Sequence, residues 1–161
     1  METRTYTVYK FKELPEEAQQ KALEKHGDIN VNYDWWQFIY EDAWAIGLKI
    51  EGFDLDRGSY CKGRWIESPY QAIKLIKENH GPDTETYKTA VEYEKRFAEL
   101  GKDEDGYQIE DEDLEQDFLN SLLEDYRISL QHEYGYLISK EAIIETFEAN
   151  DYCFTIDGDI D

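Results

Sequence analysis

The sequence has few cysteines, few prolines and few basic residues. Two Cys and three Pro occur among 161 residues, and 17 Lys and Arg stand against 38 Asp and Glu. With no CxxC motif and no second pair of cysteines, a zinc site of the usual spacing is not expected. We expect Cys61 and Cys153 to be reduced thiols that pack as small apolar groups, and we expect no metal or other cofactor.

Long apolar runs are also missing. No run approaches the roughly 20 apolar residues that span a bilayer. A chain with a net charge of −21 would also be repelled by an anionic membrane surface. The first four residues lead directly into an alternating, strand-like segment and show no signal-peptide pattern. We therefore expect a cytoplasmic protein that does not bind membranes.

The apolar content is nevertheless sufficient for a folded core. Apolar residues make up 40% of the chain and aromatic residues 15%, which is too much core material for a disordered acidic chain. A length of 161 residues suits one domain that needs neither disulfides nor metal. We expect a single folded domain over residues 1–161.

Hydrophobic periodicity predicts both strands and helices. Alternating β-branched and aromatic residues predict strands at 3–12, 48–56, 59–66 and 152–156. Apolar residues three and four apart predict helices at 14–27, 33–46, 70–79, 84–100, 114–130 and 139–150. Ser68 and Ser139 are expected N-caps, Asn150 an αL stop and 157–161 a frayed tail. The predicted class is α+β, with several helices covering a small antiparallel or mixed sheet of an N-terminal strand, a central hairpin and a short C-terminal strand.

Charge is distributed unevenly along the chain. Residues 1–98 hold 18 acidic and 14 basic side chains, which gives −4, whereas residues 99–161 hold 20 acidic and 3 basic side chains, which gives −17. Nucleic-acid binding depends on Lys and Arg that displace counterions from phosphates, so direct binding of DNA or RNA is not expected. The sign instead favours a basic partner and fast, salt-sensitive association.

Segment 99–125 is predicted to be an acidic loop followed by a helix edge. On a helical projection, Glu110, Asp113, Asp117 and Glu124 fall in one row. Carboxylates three or four residues apart on a helix lie about 5–6 Å from one another, whereas each DNA strand carries one phosphate per about 3.4 Å. The row therefore approximates a phosphate row without matching its density. The candidate partner-binding residues are Asp103, Glu104, Asp105, Glu110, Asp111, Asp113, Asp117 and Glu124.

A purely solubilising role is the alternative for this acidic surface. Acidic faces commonly serve solubility, and proteins of low isoelectric point are ordinary in bacteria. Against this, like charges at neighbouring helical positions cost a few tenths of a kcal/mol per pair. A sequence selected for stability alone would interleave lysine there, as residues 1–98 do.

Two short motifs suggest metal sites, and each has a simpler interpretation. Residues 101–112 resemble an EF-hand loop, but Gly at the first position and Gln at the eighth do not fit. Asp54 and Asp56 could hold a divalent metal in an enzyme, yet Asp before Arg-Gly more often begins a turn. An acidic loop and a turn are the simpler structures, and we expect no enzymatic activity.

Histidine and tryptophan offer no catalytic pattern. Of His26, His80 and His132, two lie at predicted helix ends, where a histidine interacts with the last carbonyls and needs no further role. Trp35 and Trp36 could anchor a partner, although one tryptophan of such a pair more often enters the core while its neighbour covers the edge. No active site is predicted.

Several blocks of the sequence resemble small acidic proteins carried by bacteriophages and mobile elements. They are YKFKELPEEA (9–18), YDWW (33–36), GFDLDRG (52–58), EAIIET (141–146) and NDY (150–152). In size and acidity the chain is similar in kind to DNA-mimicking anti-CRISPR and antirestriction inhibitors. The resemblance implies a phage protein in the cytoplasm of a bacterial host, and it carries over no functional residues because the likeness is one of class.

Three functions are therefore considered. The first is an inhibitor that blocks a basic nucleic-acid-binding surface of a host defence complex through its acidic residues. The second is an antitoxin-like protein that neutralises a partner by shape and apolar anchors, in which Trp35, Trp44 or Trp65 would matter more than charge. The third is a metal-dependent enzyme built on Asp54 and Asp56.

Overall fold

The computed structural model describes residues 2–3 and 5–161. Over these residues the protein is 53% helical and 13% strand, which confirms the α+β class. The helices are α1 Glu16–Lys25, α2 Gln37–Ala45, α3 Pro69–Asn79, α4 Glu85–Leu100, α5 Glu112–Leu137 and α6 Lys140–Ala149. The strands are β1 Tyr9–Lys10, β2 Leu48–Asp54, β3 Tyr60–Trp65 and β4 Cys153–Phe154, and a 3-10 helix spans Phe11–Glu13.

The chain divides into two compact units. The first unit comprises the chain through Trp35 together with His132–Asp161, and the second comprises Trp36–Gln131. The acidic loop and most of α5 belong to the second unit. That the whole chain forms a single domain, as its length led us to expect, stays a prediction.

The strands form two separate antiparallel pairs rather than one sheet. β1 pairs with β4, and β2 pairs with β3 in a hairpin with an irregularity between Ile50 and Gly52. β1 is much shorter than the predicted strand 3–12, of which Arg4 lies outside the described residues. A 3-10 turn ends β1 after Lys10. The Lys10 amide donates to the Glu13 carboxylate over 2.7 Å, and the Leu14 amide donates to the Phe11 carbonyl over 3.1 Å.

The first unit is built on an aromatic core. The rings of Phe11, Phe147 and Phe154 are buried, and their centroids lie 4.8 to 6.1 Å apart in tilted or edge-on pairs. Aromatic pairs at these distances stabilise by about 0.5–1.5 kcal/mol beyond the area that they bury. Ala18 and Ala22 of α1 close the same core.

The final residues are packed, so the prediction of a frayed tail is wrong. The Asp161 amide donates to the Cys153 carbonyl over 2.8 Å, and the Thr155 amide donates to the Asp159 carbonyl over 2.9 Å. Gly158 is buried with a φ of 87°. A Cβ added there would lie 2.7 Å from the Ala22 amide nitrogen of α1. Only glycine combines this backbone conformation with such a close approach.

The second unit packs the β2–β3 hairpin and its helices around α5. Phe118, Leu122 and Leu130 of α5 are fully buried. Gly63 of β3 allows β3 to lie close to β2 and to α5. An added Cβ there would clash with the Lys49 carbonyl and would lie 3.1 Å from Leu123 Cδ2. The hairpin therefore depends on the absence of a side chain at residue 63.

The helix ends follow the expected capping chemistry, with two corrections. The hydroxyls of Ser68 and Ser139 accept the amides of Gln71 and Ala142, each over 3.2 Å, which confirms both predicted N-caps. The αL residue after α6 is Asp151, with a φ of 51°, and not Asn150. α5 spans Glu112–Leu137 rather than 114–130. The prediction covered only the apolar stripe, and the helix continues beyond that stripe at both ends.

Candidate functional site

The acidic loop before α5 is a structured turn and not a random acidic segment. The Asp103 carboxylate accepts the amides of Asp105 and Tyr107 over 3.0 and 2.9 Å, and the Asp103 amide donates to the Tyr107 carbonyl over 2.8 Å. This is the Asx-type turn that Asp favours. Asp103 therefore has a structural role, although its side chain is exposed.

Gln108 attaches the same loop to the end of α4. Its side-chain Nε2 donates to the carbonyls of Phe97 and Gly101, each over 3.1 Å, and the residue forms an isolated antiparallel bridge with Lys102. The turn consequently presents Tyr107 in a fixed position, with 71% of its surface exposed. Rigid loops lose less entropy on binding than flexible ones.

The N-terminus of α5 corrects the predicted carboxylate row. Asp111 caps the helix, since its carboxylate accepts the Leu114 amide over 3.1 Å and its carbonyl accepts the Glu115 amide over 3.0 Å. The helix begins at Glu112, so Glu110 lies in the loop and not on the helical row. Asp113 and Asp117 remain neighbours on one exposed face of α5.

Glu124 is neutralised locally. Arg127 Nε lies 2.9 Å from one Glu124 carboxylate oxygen and Arg127 Nη2 lies 2.6 Å from the other, in a bidentate pair. The hydrogen bond from Arg127 lowers the pKa of Glu124. Of the eight predicted residues, Asp103, Asp111 and Glu124 thus have partners within the protein.

The other five carboxylates form the surface that we call the acidic patch. Its members are exposed, and within the described part of the chain no cation pairs with them. They are Glu104, Asp105, Glu110, Asp113 and Asp117.

The electrostatic effect of this region is visible in a neighbouring carboxyl group. Burial raises the pKa of Glu115, and the charges of Glu110, Glu112 and Asp111 raise it further. A raised carboxyl pKa means that the surroundings disfavour negative charge. The neighbouring acidic charges thus add to burial in opposing the ionisation of Glu115 at the start of α5.

A second cluster, which the sequence did not predict, centres on His80. Its ring Nε2 lies 3.0 to 3.1 Å from both Asp42 carboxylate oxygens, and its Nδ1 lies 2.5 Å from the Thr86 hydroxyl. Because a carboxylate only accepts, Nε2 donates to Asp42. The Tyr126 hydroxyl donates to the same carboxylate over 2.9 Å. His80 is at the C-terminal end of α3, as expected, but its ring connects α2 to α4.

These residues line one wall of a cavity of about 430 Å³ in the second unit. The lining also includes Asp125, whose carboxylate accepts the Thr89 hydroxyl over 2.7 Å. Burial raises the pKa of Asp125, the Thr89 hydrogen bond lowers it in part, and the charges of Glu85 and Glu124 raise it further. The complete lining is Asp42, His80, Asp83, Thr84, Glu85, Thr86, Asp125, Tyr126 and Ser129.

No local pattern could have predicted this cluster. Asp42 and Tyr126 are 84 residues apart, and His80 follows Asp42 by 38. Their proximity results from the packing of three helices, which single-sequence periodicity does not determine. α2 contains two adjacent acidic residues, Glu41 and Asp42, and nothing in the local sequence distinguishes Asp42 from its neighbour.

The three tryptophans considered as anchors lie in different environments. Trp35 is buried against Tyr134, with ring centroids 5.6 Å apart. Trp65 is half-buried and packs on Phe118 at 5.2 Å. Trp44 is 59% exposed on α2 and is therefore the one of the three that a partner could reach.

The residues proposed for metal binding act in turns. The Asp54 carboxylate accepts the amides of Asp56 and Arg57 over 2.8 and 3.3 Å, which forms an Asx turn between β2 and β3. Across residues 2–3 and 5–161, no three His, Cys, Asp or Glu side chains are grouped so that they could hold a metal ion. Both cysteines are free, and burial raises the pKa of the Cys61 thiol to about 12.

No protein-family model, curated protein or solved structure matches the chain. None of the helices in the described residues combines the length and apolar character that a membrane crossing requires. The function must therefore be argued from the acidic patch and the cavity themselves.

Proposed function

We propose that the protein is an inhibitor that binds a basic nucleic-acid-binding surface of a host defence complex, of the anti-CRISPR or antirestriction kind. It does so by presenting negative charge where the complex would bind phosphates. The observation that carries the proposal is the acidic patch, five exposed carboxylates without cationic partners among the described residues, within the segment 99–161 that carries −17.

The geometry of the acidic patch supports charge mimicry. Asp113 and Asp117 are four residues apart on α5, which separates them by about 5–6 Å. The rigid turn at Asp103 places Glu104 and Asp105 in the segment before the helix. Individual exposed ion pairs contribute only about 0–1 kcal/mol each, so binding would depend on several contacts acting together.

A tagged pull-down from bacterial lysate, washed across a salt series, tests this proposal. The wild-type protein should capture a basic nucleic-acid-binding protein and release it as the salt concentration rises. Reversing four patch charges together (E104K, D105K, D113K and D117K) should prevent capture. The matched control reverses four exposed acidic residues of the first 98 (E17K, D34K, E51K and E78K) and should retain the partner.

The two variants have the same net charge, so their comparison separates position from total charge. If both retain the partner equally, or both lose it equally, the acidic patch is not the binding surface. Circular dichroism of each variant establishes that it is folded before its binding is interpreted.

An antitoxin-like function is the second candidate, and one observation favours it. Trp44 and Phe38 are 59% and 55% exposed on α2, and exposed aromatic side chains are frequent anchors in interfaces. In that case Trp44→Ala should abolish partner binding, the charge reversals should have little effect, and affinity should vary little with salt.

A further inference from the structure

The outer face of the β2–β3 hairpin carries three basic side chains. Lys49 of β2 lies directly opposite Arg64 of β3 in the register of the pair, and Lys62 precedes Arg64 by two residues on the same strand. Residues two apart on a strand point to the same side, and the opposite side, that of buried Ile50 and of Gly63, faces α5. All three basic side chains are exposed to solvent.

These three cations have no acidic partner and include a repulsive pair. Within residues 2–3 and 5–161 no carboxylate forms an ion pair with any of them, although Glu51 is exposed nearby on β2. Like charges directly opposite each other on two strands are destabilising. An acidic residue in place of Lys49 or Arg64 would replace repulsion with attraction, and acidic residues outnumber basic ones by 38 to 17 in this chain. Stability alone therefore does not explain this pair, whereas an anion from another molecule does.

Exposed aromatic rings flank the cations on both sides. Tyr60 precedes Lys62 by two residues on β3 and is exposed on the same face. Beside β2, Trp44 and Tyr40 of α2 line a depression of about 220 Å³ together with Lys49. The rest of its lining is Gln37, Glu41 and Ile50. The surface that we call the hairpin face consists of Trp44, Lys49, Tyr60, Lys62 and Arg64.

Cations between exposed rings fit a single-stranded nucleic acid better than an acidic protein surface. An exposed ion pair with a protein carboxylate changes affinity by at most about fivefold. Stacking of one base on an aromatic side chain changes it by about 5- to 140-fold, and any base can stack. Cations that neutralise phosphates also release counterions. The bases of a duplex are stacked on one another and do not reach the rings.

We propose that the hairpin face binds a single strand of DNA or RNA. The phosphates lie against Lys49, Lys62 and Arg64, and bases stack on Tyr60 and Trp44. At about 3.3 Å per residue, Arg64 and Tyr60 are about 13 Å apart along β3, so the bound segment follows the strand.

The net charge of −21 opposes binding of any polyanion and led us to expect no direct contact with nucleic acid. Net charge does not describe a local surface, however, because at physiological ionic strength charges more than about 8 Å away are largely screened. The biological identity of the strand rests on the function proposed above, in which the host complex handles nucleic acid. The binding of a strand is a property of this protein alone.

Fluorescence anisotropy of labelled oligo-dT and oligo-rU, each of about 12 nucleotides, tests this proposal with the purified protein. Saturable binding of at least one of them is expected at about 50 mM salt. The logarithm of the affinity should fall with the logarithm of the salt concentration with a slope of about −2, since each of three phosphate contacts to a single strand contributes about −0.7.

Two competitors identify the class of ligand. A duplex of the same length should bind at least about fivefold more weakly than the single strand, because its bases cannot stack on the rings. A duplex that binds as tightly would refute recognition of a single strand. A peptide of about 12 glutamates that binds as tightly would show a general anion site, and the assignment to nucleic acid would then be wrong.

Two triple variants of equal net charge locate the site. The first removes the cations of the hairpin face (K49Q, K62Q and R64Q) and should abolish the salt-dependent binding. The second removes three exposed cations elsewhere in the second unit (K74Q, K95Q and K102Q) and should bind like wild type. Equal losses in the two variants would contradict binding at the hairpin face. All six side chains are exposed, and circular dichroism verifies that both variants are folded.

Tyr60→Ala tests the stacking contribution. The substitution removes an exposed ring and should weaken binding by about fivefold or more. Tyr107→Ala is the matched control, because Tyr107 is also exposed but lies in the acidic loop. A Tyr60→Ala variant that binds as tightly as the control would refute base stacking on this face.

The oligonucleotide titration and the lysate experiment have separate outcomes. No saturable binding of either oligonucleotide would overturn the hairpin face as a nucleic-acid site, even if the acidic patch captures a basic partner. Oligonucleotide binding that depends on the hairpin face, with no effect of patch reversal on capture, would leave this site standing and remove the charge-mimic function.

Discussion

Tyr126 on α5 donates its hydroxyl to the Asp42 carboxylate on α2 over 2.9 Å, across 84 residues of sequence. His80 donates to the same carboxylate from the end of α3. One side chain on α2 thus receives donors from two other helices. Partial burial raises the pKa of Asp42. The hydrogen bond and charge of His80, together with the hydrogen bond from Tyr126, outweigh burial, so the pKa is lowered from its usual value.

Asp42→Asn should destabilise the protein and change how stability depends on pH. The loss of hydrogen bonds to a charged acceptor is expected to cost about 1–3 kcal/mol, nearer the lower figure because Asp42 is 47% exposed. Since the folded pKa is lowered, the Asp42 contribution is complete above the unfolded pKa and disappears as pH falls through the folded pKa.

Urea denaturation at neutral pH and at about pH 3 measures both effects. The wild type should lose more unfolding free energy between the two pH values than Asp42→Asn does. Equal losses would show that the Asp42 carboxylate does not hold these three helices together.

Gly63→Ala should destabilise the second unit. The new methyl group would clash with the Lys49 carbonyl and crowd Leu123, and overpacking of this kind costs about 1–3 kcal/mol. Gly81→Ala is the matched control, because an added Cβ there meets no atom within 4 Å and needs no unusual φ. A Gly63→Ala melting temperature equal to that of the control would refute the close packing of β3 on α5.

Gly158→Ala tests whether the C-terminal residues contribute to the first unit. Gly158 and Gly106 have nearly the same φ, 87° and 85°, but only Gly158 approaches another segment closely. Both substitutions carry the backbone cost of about 1 kcal/mol for a non-glycine residue in this region. Thermal melting should show a larger loss for Gly158→Ala, and equal losses would mean that the tail is not packed on α1.

Asp103 separates the structural and electrostatic roles of the acidic loop. Asp103→Asn keeps an oxygen that accepts the amides of Asp105 and Tyr107, so the turn should persist, whereas Asp103→Ala should open it. Hydrogen exchange at the Tyr107 amide should rise in the alanine variant alone. If the asparagine variant exchanges equally fast, charge rather than hydrogen bonding holds the turn.

Much of the fold could be predicted from local sequence. The apolar stripe of α5 and the caps Ser68 and Ser139 are local patterns, and the structure contains each of them. The predicted strand at 3–12 extends too far at its C-terminal end, because alternation does not show that the Glu13 carboxylate accepts the Lys10 amide in a 3-10 turn. The C-terminal residues are ordered in part by the close approach of Gly158 to Ala22 of α1, and no local sequence pattern predicts that contact.

The candidate site was predicted in part. Exposure of the acidic patch follows from charge, since ionised side chains remain in water unless they are paired. The turn role of Asp103 and the pairing of Glu124 with Arg127 depend on local geometry that a helical projection of carboxylates does not contain. The His80 cavity arises from tertiary packing of α2, α4 and α5, and the sequence gives no sign of it.

The central claim is that the acidic patch is a docking surface and not a solubilising one. A structure of the protein bound to its captured partner, determined by cryo-electron microscopy, tests this most directly. The account predicts Lys or Arg nitrogens of the partner within about 4 Å of the carboxylates of Glu104, Asp105, Asp113 and Asp117. A complex in which these four carboxylates face open solvent would contradict it.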